Sequence, residues 1–280
     1  MAQIKITPKN IVDSAMNRPW EVACEPFRVA PHIYYVGNVW VGAFLLDCGK
    51  DGLSIIDCSV ASTFYLLTES IRKLGFDPAN IRNIFLSHGH GDHDGAVPYL
   101  MNLSGATVWL SREEDEQFRH NDAIDEKDKF PTMGYEPDKY YQWGEEIKLG
   151  KLTIRPVLTP GHTPGTTTFF IDDIDESGRK LTWAMHGGVG VNTMTHEYFQ
   201  KTGLPESLIK TFVEDCDRLK AYHVDICTPS HPSHSDMLQR VNEEDRHDYT
   251  PFIDENKWEA FLEERKGFAM ETMSKGFDWK

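Results

Sequence analysis

Apolar residues recur along this chain with two different periods, and the changes of period mark its elements. From 33 to 57 apolar and polar positions alternate and break like short strands joined by turns, with Gly49-Lys50-Asp51-Gly52 as the clearest break. That pattern predicts a β-meander. Over 62–74 the period lengthens: Phe64, Leu67, Ile71 and Leu74 share one helical face, and Gly75 stops the helix as a C′ glycine. A strand ending at Ile84-Phe85-Leu86 follows, then a polar loop, a helix over 95–103, a strand over 106–110 and a helix that Ser111 and Glu114 open as a capping box. Residues 119–139 are polar, carry Pro131, Gly134 and Pro137 and hold no period. They predict a long loop of the kind that covers a site.

The second half repeats the scheme. Strands are predicted over 146–149, 152–158, 166–171 and 180–185, with Gly150-Lys151 and the polar stretch 172–179 as turns. A helix follows with Ile209, Phe212, Val213, Cys216 and Leu219 on its apolar face, then a short strand over 224–228 and an amphipathic helix near 255–274 that includes Trp258, Phe261, Leu262 and Met270. Strands then helices thus occur twice, with no low-complexity linker between. The expectation is one α/β domain over 1–280, with a leader segment over 1–25, a C-terminal amphipathic helix within 250–280 and a site in the crevice between the halves.

Composition narrows the function. At 280 residues and 40% hydrophobic content the chain can bury a large core. A formal net charge of −15 argues against a nucleic-acid partner, whose phosphates are held by clustered Lys and Arg, and leaves a small molecule as the expected substrate. The acidic runs 112–116 and 122–128 read as solvated faces. The five cysteines are scattered, without Cys-x-x-Cys, and fit a reduced setting in which Cys216 and Cys227 are small buried hydrophobes. The first residues contain no uninterrupted apolar segment, hence no visible signal peptide, and no run approaches the roughly 20 apolar residues of a membrane span. A cytoplasmic location without a membrane partner is expected, or a periplasmic or secreted one if a leader has been trimmed.

The chemistry gathers at strand ends. In Ser87-His88-Gly89-His90-Gly91-Asp92-His93, three imidazoles and a carboxylate fall within six residues directly after a strand. Neutral imidazole and carboxylate suit an ion such as zinc, and a loop can turn alternate side chains to one ion and the remaining pair to a second. Gly89 and Gly91 are expected to take tight backbone angles and to keep bulk from the metals. Two further histidine loops end strands, Pro160-Gly161-His162-Thr163-Pro164-Gly165 and Thr228-Pro229-Ser230-His231-Pro232-Ser233-His234. His186, the first residue after the 180–185 strand and next to Gly187 and Gly188, is expected to reach the site or its rim. His32, His120, His196, His223 and His247 stand in no motif.

These motifs, in this order and approximate spacing, resemble the metallo-β-lactamase superfamily from about residue 26 to the final helix. Within it the chain is most similar to the third subclass, through Pro26-Phe27-Arg28-Val29 and through histidine where other subclasses place a zinc-binding cysteine. The resemblance implies a four-layer αβ/βα sandwich of two pseudo-related halves with the site between them. It implies two zinc ions per chain, the first held by His88, His90 and His162, the second by Asp92, His93 and His231. His231 is preferred to His234 because the ligand stands directly before proline. Asp57 is expected to orient a histidine or a loop. Each ligand set leaves a position open, the mark of a catalytic zinc, and zinc lowers the pKa of bound water to about 7. The implied activity is hydrolysis of a cyclic amide by metal-bound hydroxide, hence β-lactamase activity and antibiotic resistance, with Asp92 as a catalytic candidate; His186 is a second one from its place after the 180–185 strand, not from the resemblance.

One stretch departs from the pattern. Many superfamily hydrolases carry an Asp that bridges the metals after the strand of 180–185, and third-subclass lactamases have serines there that hold the substrate carboxylate. This chain has His186-Gly187-Gly188. The same ligands also suit a lactonase, thioesterase or phosphoesterase. A non-hydrolytic metal or redox protein is the third reading, which calls for a flavin partner domain and carboxylate-rich iron ligands, neither evident in the sequence.

Overall fold

The computed structural model describes residues 7, 10–124, 130–131 and 133–274. One sheet holds β1 (Phe27–Ala30), β2 (Ile33–Tyr35), β3 (Phe44–Asp47), β4 (Leu53–Ile56), β5 (Ile81–Phe85), β6 (Thr107–Leu110) and β7 (Lys139–Tyr140) in sequence order. Its first four strands form the antiparallel meander expected over 33–57, extended by β1, and β4 to β7 run parallel. The second sheet holds β8 (Ile147–Leu149), β9 (Leu152–Leu158), β10 (Thr167–Ile174), β11 (Lys180–Met185) and β12 (Ile226–Cys227), antiparallel except for the β11–β12 pair. The helices are α1 (Ile11–Asn17), α2 (Phe64–Lys73), α3 (Gly91–Asp94), α4 (Val97–Ser104), α5 (Arg112–Glu114), α6 (His196–Thr202), α7 (Ser207–Leu219) and α8 (Lys257–Ser274).

Side-chain alternation decides the layering. Successive residues of a strand face opposite sides of the sheet. Phe44, Ile56 and Phe85 of the first sheet therefore meet Phe169, Ile171, Trp183 and Met185 of the second in a core between the sheets. Their neighbours Leu45, Ile55 and Ile84 turn outward onto Leu67 and Ile71 of α2 and Val97 and Leu100 of α4. On the far side Phe170 and Ala184 turn onto Phe212 and Cys216 of α7 and Trp258 and Leu262 of α8. The result is the four-layer αβ/βα sandwich. Strands buried on both faces need apolar residues at consecutive positions, and each such side chain contributes about 1.5–3 kcal/mol when fully buried.

Several elements differ from expectation. α6 was not anticipated; only Phe199 and Thr202 of its seven residues are buried, too few to print a period, and Thr195 caps it by accepting from the Tyr198 amide. α8 buries Trp258, Phe261 and Leu262 but also Arg265 and Thr272, while Met270 is exposed, so its apolar face is less regular than an amphipathic stripe. The leader is structural from α1 onward: Ala15 and Val22 pack with Trp40, Val41 and Phe130. The acidic run 112–116 is not wholly solvated, because Glu114 and Asp115 are buried. The parts of the loop and acidic-run expectations that fall on 125–129 and 132 lie outside the described residues. All five cysteines are free, and Cys216 and Cys227 are buried in the second half. No described helix is long and apolar enough to cross a membrane.

Candidate metal centre

Strand ends converge on one place. β4 delivers Asp57, β5 delivers Ser87 to His93, the β9–β10 loop carries His162, and β12 leads to His231. Their side chains form two adjacent groups, His88 with His90 and His162, and Asp92 with His93 and His231, the ligand atoms within each group lying within 4.8 Å of one another. The groups abut: the His88 and His93 rings are 4.2 Å apart.

Hydrogen bonds to Nδ1 fix how four of these rings point. His162 Nδ1 lies 2.7 Å from the Gly190 carbonyl, and His231 Nδ1 lies 2.8 Å from the Trp40 carbonyl. A carbonyl only accepts, so each Nδ1 carries the proton and each Nε2 keeps its lone pair. His93 Nδ1 donates to Asp57 Oδ2 at 2.8 Å. His88 Nδ1 donates to Ser87 Oγ at 2.9 Å, and that hydroxyl donates to Asp57 Oδ2 at 2.7 Å. One carboxylate thus orients a histidine of each group, the role expected of Asp57. Its backbone is left-handed, at φ 57°, a conformation Asp tolerates better than most residues.

The donor set fits metal ions. His88 Nε2 is buried without a hydrogen-bond partner. His93 Nε2 and His231 Nε2 face each other at 3.1 Å, and two lone pairs that close repel unless a proton or cation lies between them. Burial holds His88 well below the usual imidazole range, pushes His162 down to about 4 and also lowers His231. Burial opposes charge on His93 too, but Asp57 and Asp92 outweigh it and raise its pKa. Neutral imidazoles are the form that binds metal.

Close approach, rather than unusual backbone, explains the glycines. Neither Gly89 nor Gly91 is in the left-handed region, which corrects the tight-angle expectation. A Cβ on Gly91 would come within 2.5 Å of Phe130 Cβ, and one on Gly188 within 2.6 Å of His162 Cδ2.

The cavity over the metal groups has a volume of about 400 Å³. Ile11, Val12, Trp40 and Phe130 give it an apolar wall, and the Trp40 and Phe130 rings lie 5.9 Å apart. Phe130 comes from the loop expected to cover a site. Nothing in the sequence marked Ile11, Val12 or Trp40, because no motif surrounds them.

Two residues sit differently from expectation. His186 does not reach the cavity: it is fully buried, with its ring against Phe212 and its Nδ1 accepting from the Gly188 amide. Burial pushes its pKa down to about 3. A strand end so close to the second sheet's outer helix leaves the ring no route to the site. Glu114 provides only half a capping box. Ser111 Oγ accepts from the Glu114 amide, but the Glu114 carboxylate turns away to accept from the Gly89 amide at 2.8 Å, the Gly165 amide at 2.9 Å and Thr163 Oγ1 at 2.6 Å. It ties the His88–His90 loop to the His162 loop.

Known proteins are similar to this chain in sequence and in fold. The model of the Metallo-beta-lactamase superfamily matches residues 39–177. The hydroxyacylglutathione hydrolase GloC of Haemophilus influenzae is 31% identical over 119 residues, covering 40% of this chain and 53% of that protein. The N-acyl homoserine lactonase AttM of Agrobacterium fabrum is 32% identical over 114 residues, covering 37% of this chain and 40% of that protein. The chain therefore spans about half, or less, of these curated relatives. BJP-1, a subclass B3 metallo-beta-lactamase of Bradyrhizobium japonicum, superposes with a TM-score of 0.82 at 21% identity, covering 94% of this chain and 98% of that one.

Proposed function

Because the chain belongs to the metallo-β-lactamase superfamily, a superfamily of hydrolytic metalloenzymes, we propose that it is a two-zinc hydrolase that opens a cyclic amide. His88, His90 and His162 would hold one ion and Asp92, His93 and His231 the other. Such ions supply Lewis acidity toward a carbonyl and an ionised water near neutral pH. The chain's part is to hold the ligands still and keep the site dry. Asp57 and the carbonyls of Gly190 and Trp40 lock the Nδ1 protons, so four imidazoles keep Nε2 as the donor atom without rotating. Asp92 is the single anion among the six ligands, so a doubly loaded centre retains a formal charge of about +3 for an anion developing on the substrate. Trp40, Phe130, Ile11 and Val12 exclude water and receive the apolar body of the substrate.

The observation that carries this reading is the pairing of two complete ligand groups in a fold that covers 98% of a subclass B3 enzyme. A second reading, hydrolysis of a lactone or thioester, is favoured by the partial matches to a lactonase and a hydroxyacylglutathione hydrolase. Metal analysis with a substrate panel separates them. Two zincs per chain, turnover of a chromogenic cephalosporin, loss on chelation and recovery with Zn²⁺ are expected. Turnover of lactone or thioester alone moves the assignment to the second reading, and a zinc-free preparation with full activity overturns both.

A further inference from the structure

Beside the metal centre lies a second cavity of about 900 Å³, which shares Val189, Gly190, Asn192 and His234 with the first. Its other walls come from α6 and α8, the two helices whose sequences were least regular, and they bring Lys201 and Arg265 to one space. Lys201 is exposed and has no ion-pair partner among the described residues. The Arg265 guanidinium is held between the Phe261 and Phe268 rings, 5.5 Å and 4.8 Å from their centroids. Its bonds run only from Nη2, to the His234 carbonyl at 3.3 Å and to Glu264, which leaves Nη1 uncommitted and Nε buried without a partner. His234 stands on the wall between the cavities, its ring 5.2 Å from His231 and its Nδ1 buried without a partner. Glu197 also lines the space, and Glu264 is paired with Arg265 Nη2.

The Lys201 ammonium without an ion-pair partner among the described residues, with the uncommitted Nη1 and the unpartnered buried Nε of Arg265, leaves donors at this cavity beside the metal centre that an anionic ligand would satisfy. Guanidinium braced on aromatic rings loses little entropy when it takes a carboxylate or phosphate. Val189 and Val191 give this cavity apolar surface. We propose that the second cavity is a subsite for the part of the substrate remote from the scissile bond, and that it takes an acyl chain ending in an anionic group, held by Lys201 and Arg265. The proposal deepens the hydrolase reading and rests on it for the identity of the scissile end; the binding step stands apart from turnover.

The test is calorimetric titration of the metal-loaded full chain with 8-(methylamino)-8-oxooctanoic acid, whose acyl chain ends in a carboxylate, and with its neutral counterpart N-methyloctanediamide. The wild type is expected to bind the acid at least tenfold more tightly than the amide. Lys201→Gln and Arg265→Gln should each remove most of that preference while leaving the amide's affinity within twofold. Lys201, being exposed, supplies a variant whose folding is not at issue, and circular dichroism checks the Arg265 variant. Equal affinity for the two ligands overturns the subsite. So does an acid preference that survives in both variants but vanishes on chelation, which would place the carboxylate on the metals. Since no outcome depends on catalysis, a protein that hydrolyses nothing in the panel can still bind the acid as proposed, and the two failures stay distinct.

Discussion

Asp57 Oδ2 accepts the His93 Nδ1 proton at 2.8 Å and, through Ser87 Oγ, orients His88 as well, so one carboxylate at the end of β4 serves both ligand groups. Asp57→Ala should lower affinity for both metal ions by roughly 10–100-fold, the cost typical of losing such a supporting contact. Ser87→Ala should weaken only the group containing His88. Competitive titration against a chromophoric chelator measures both, and unchanged affinity in Asp57→Ala would show that packing alone orients the rings.

Glu114 makes a comparable link between loops, and its substitution is expected to cost stability before it costs chemistry. Glu114→Gln sets an amide NH₂ against donors that now meet oxygen, and leaves at least one of them buried and unpaired. A loss of about 1–3 kcal/mol is expected. Urea unfolding of the metal-loaded protein reads it, and a midpoint equal to wild type would refute the link.

Gly188→Ala places a methyl group where the His162 ring now lies, at 2.6 Å from Cδ2. The ring must shift, so the group of His88, His90 and His162 should lose affinity while that of Asp92, His93 and His231 keeps it. Cobalt substitution followed by absorption spectroscopy distinguishes the two sites. Wild-type spectra at both would mean that the loop yields instead.

Asp92→Asn removes the only anionic ligand. A fall in kcat of roughly a hundredfold or more is expected, on the scale of losing one strong electrostatic stabiliser. Two tightly held zincs with a normal rate would disprove the second ligand group.

His186 contributes to stability through pH. Burial depresses its folded pKa to about 3, below the ordinary 6.5. The unfolded chain therefore binds a proton first as pH falls, so stability is complete above pH 6.5 and declines as the pH falls toward 3. Glu114, pushed up to about 7 by burial, works in the opposite sense: its contribution is present below pH 4.5 and lost as pH rises through 7. Comparing wild type with His186→Gln isolates the histidine. The wild type should lose about 3 kcal/mol more than the variant between pH 7 and pH 4, and parallel urea-midpoint curves would exclude a buried neutral His186.

The sequence by itself determined the strand and helix succession, the histidine loops at strand ends and the family they resemble. These were legible because alternation over a few residues reports which faces are buried, and because His88, His90, Asp92 and His93 lie close enough in sequence that one strand end brings them together. Tertiary structure decided the rest. Whether Glu114 caps its helix or bridges two loops depends on Gly89 and Gly165, which are distant in sequence and adjacent only once β5, β6 and the β9–β10 loop are packed. His186 has the same local signs as His162, a strand end and neighbouring glycines, yet one ring is turned to the site and the other to Phe212. The side from which a strand-end residue leaves its sheet is set by register against its neighbours, and a one-residue difference reverses it. The apolar wall of Ile11, Val12, Trp40 and Phe130 carries no motif at all, because shape and exclusion of water belong to surfaces that only the folded chain assembles.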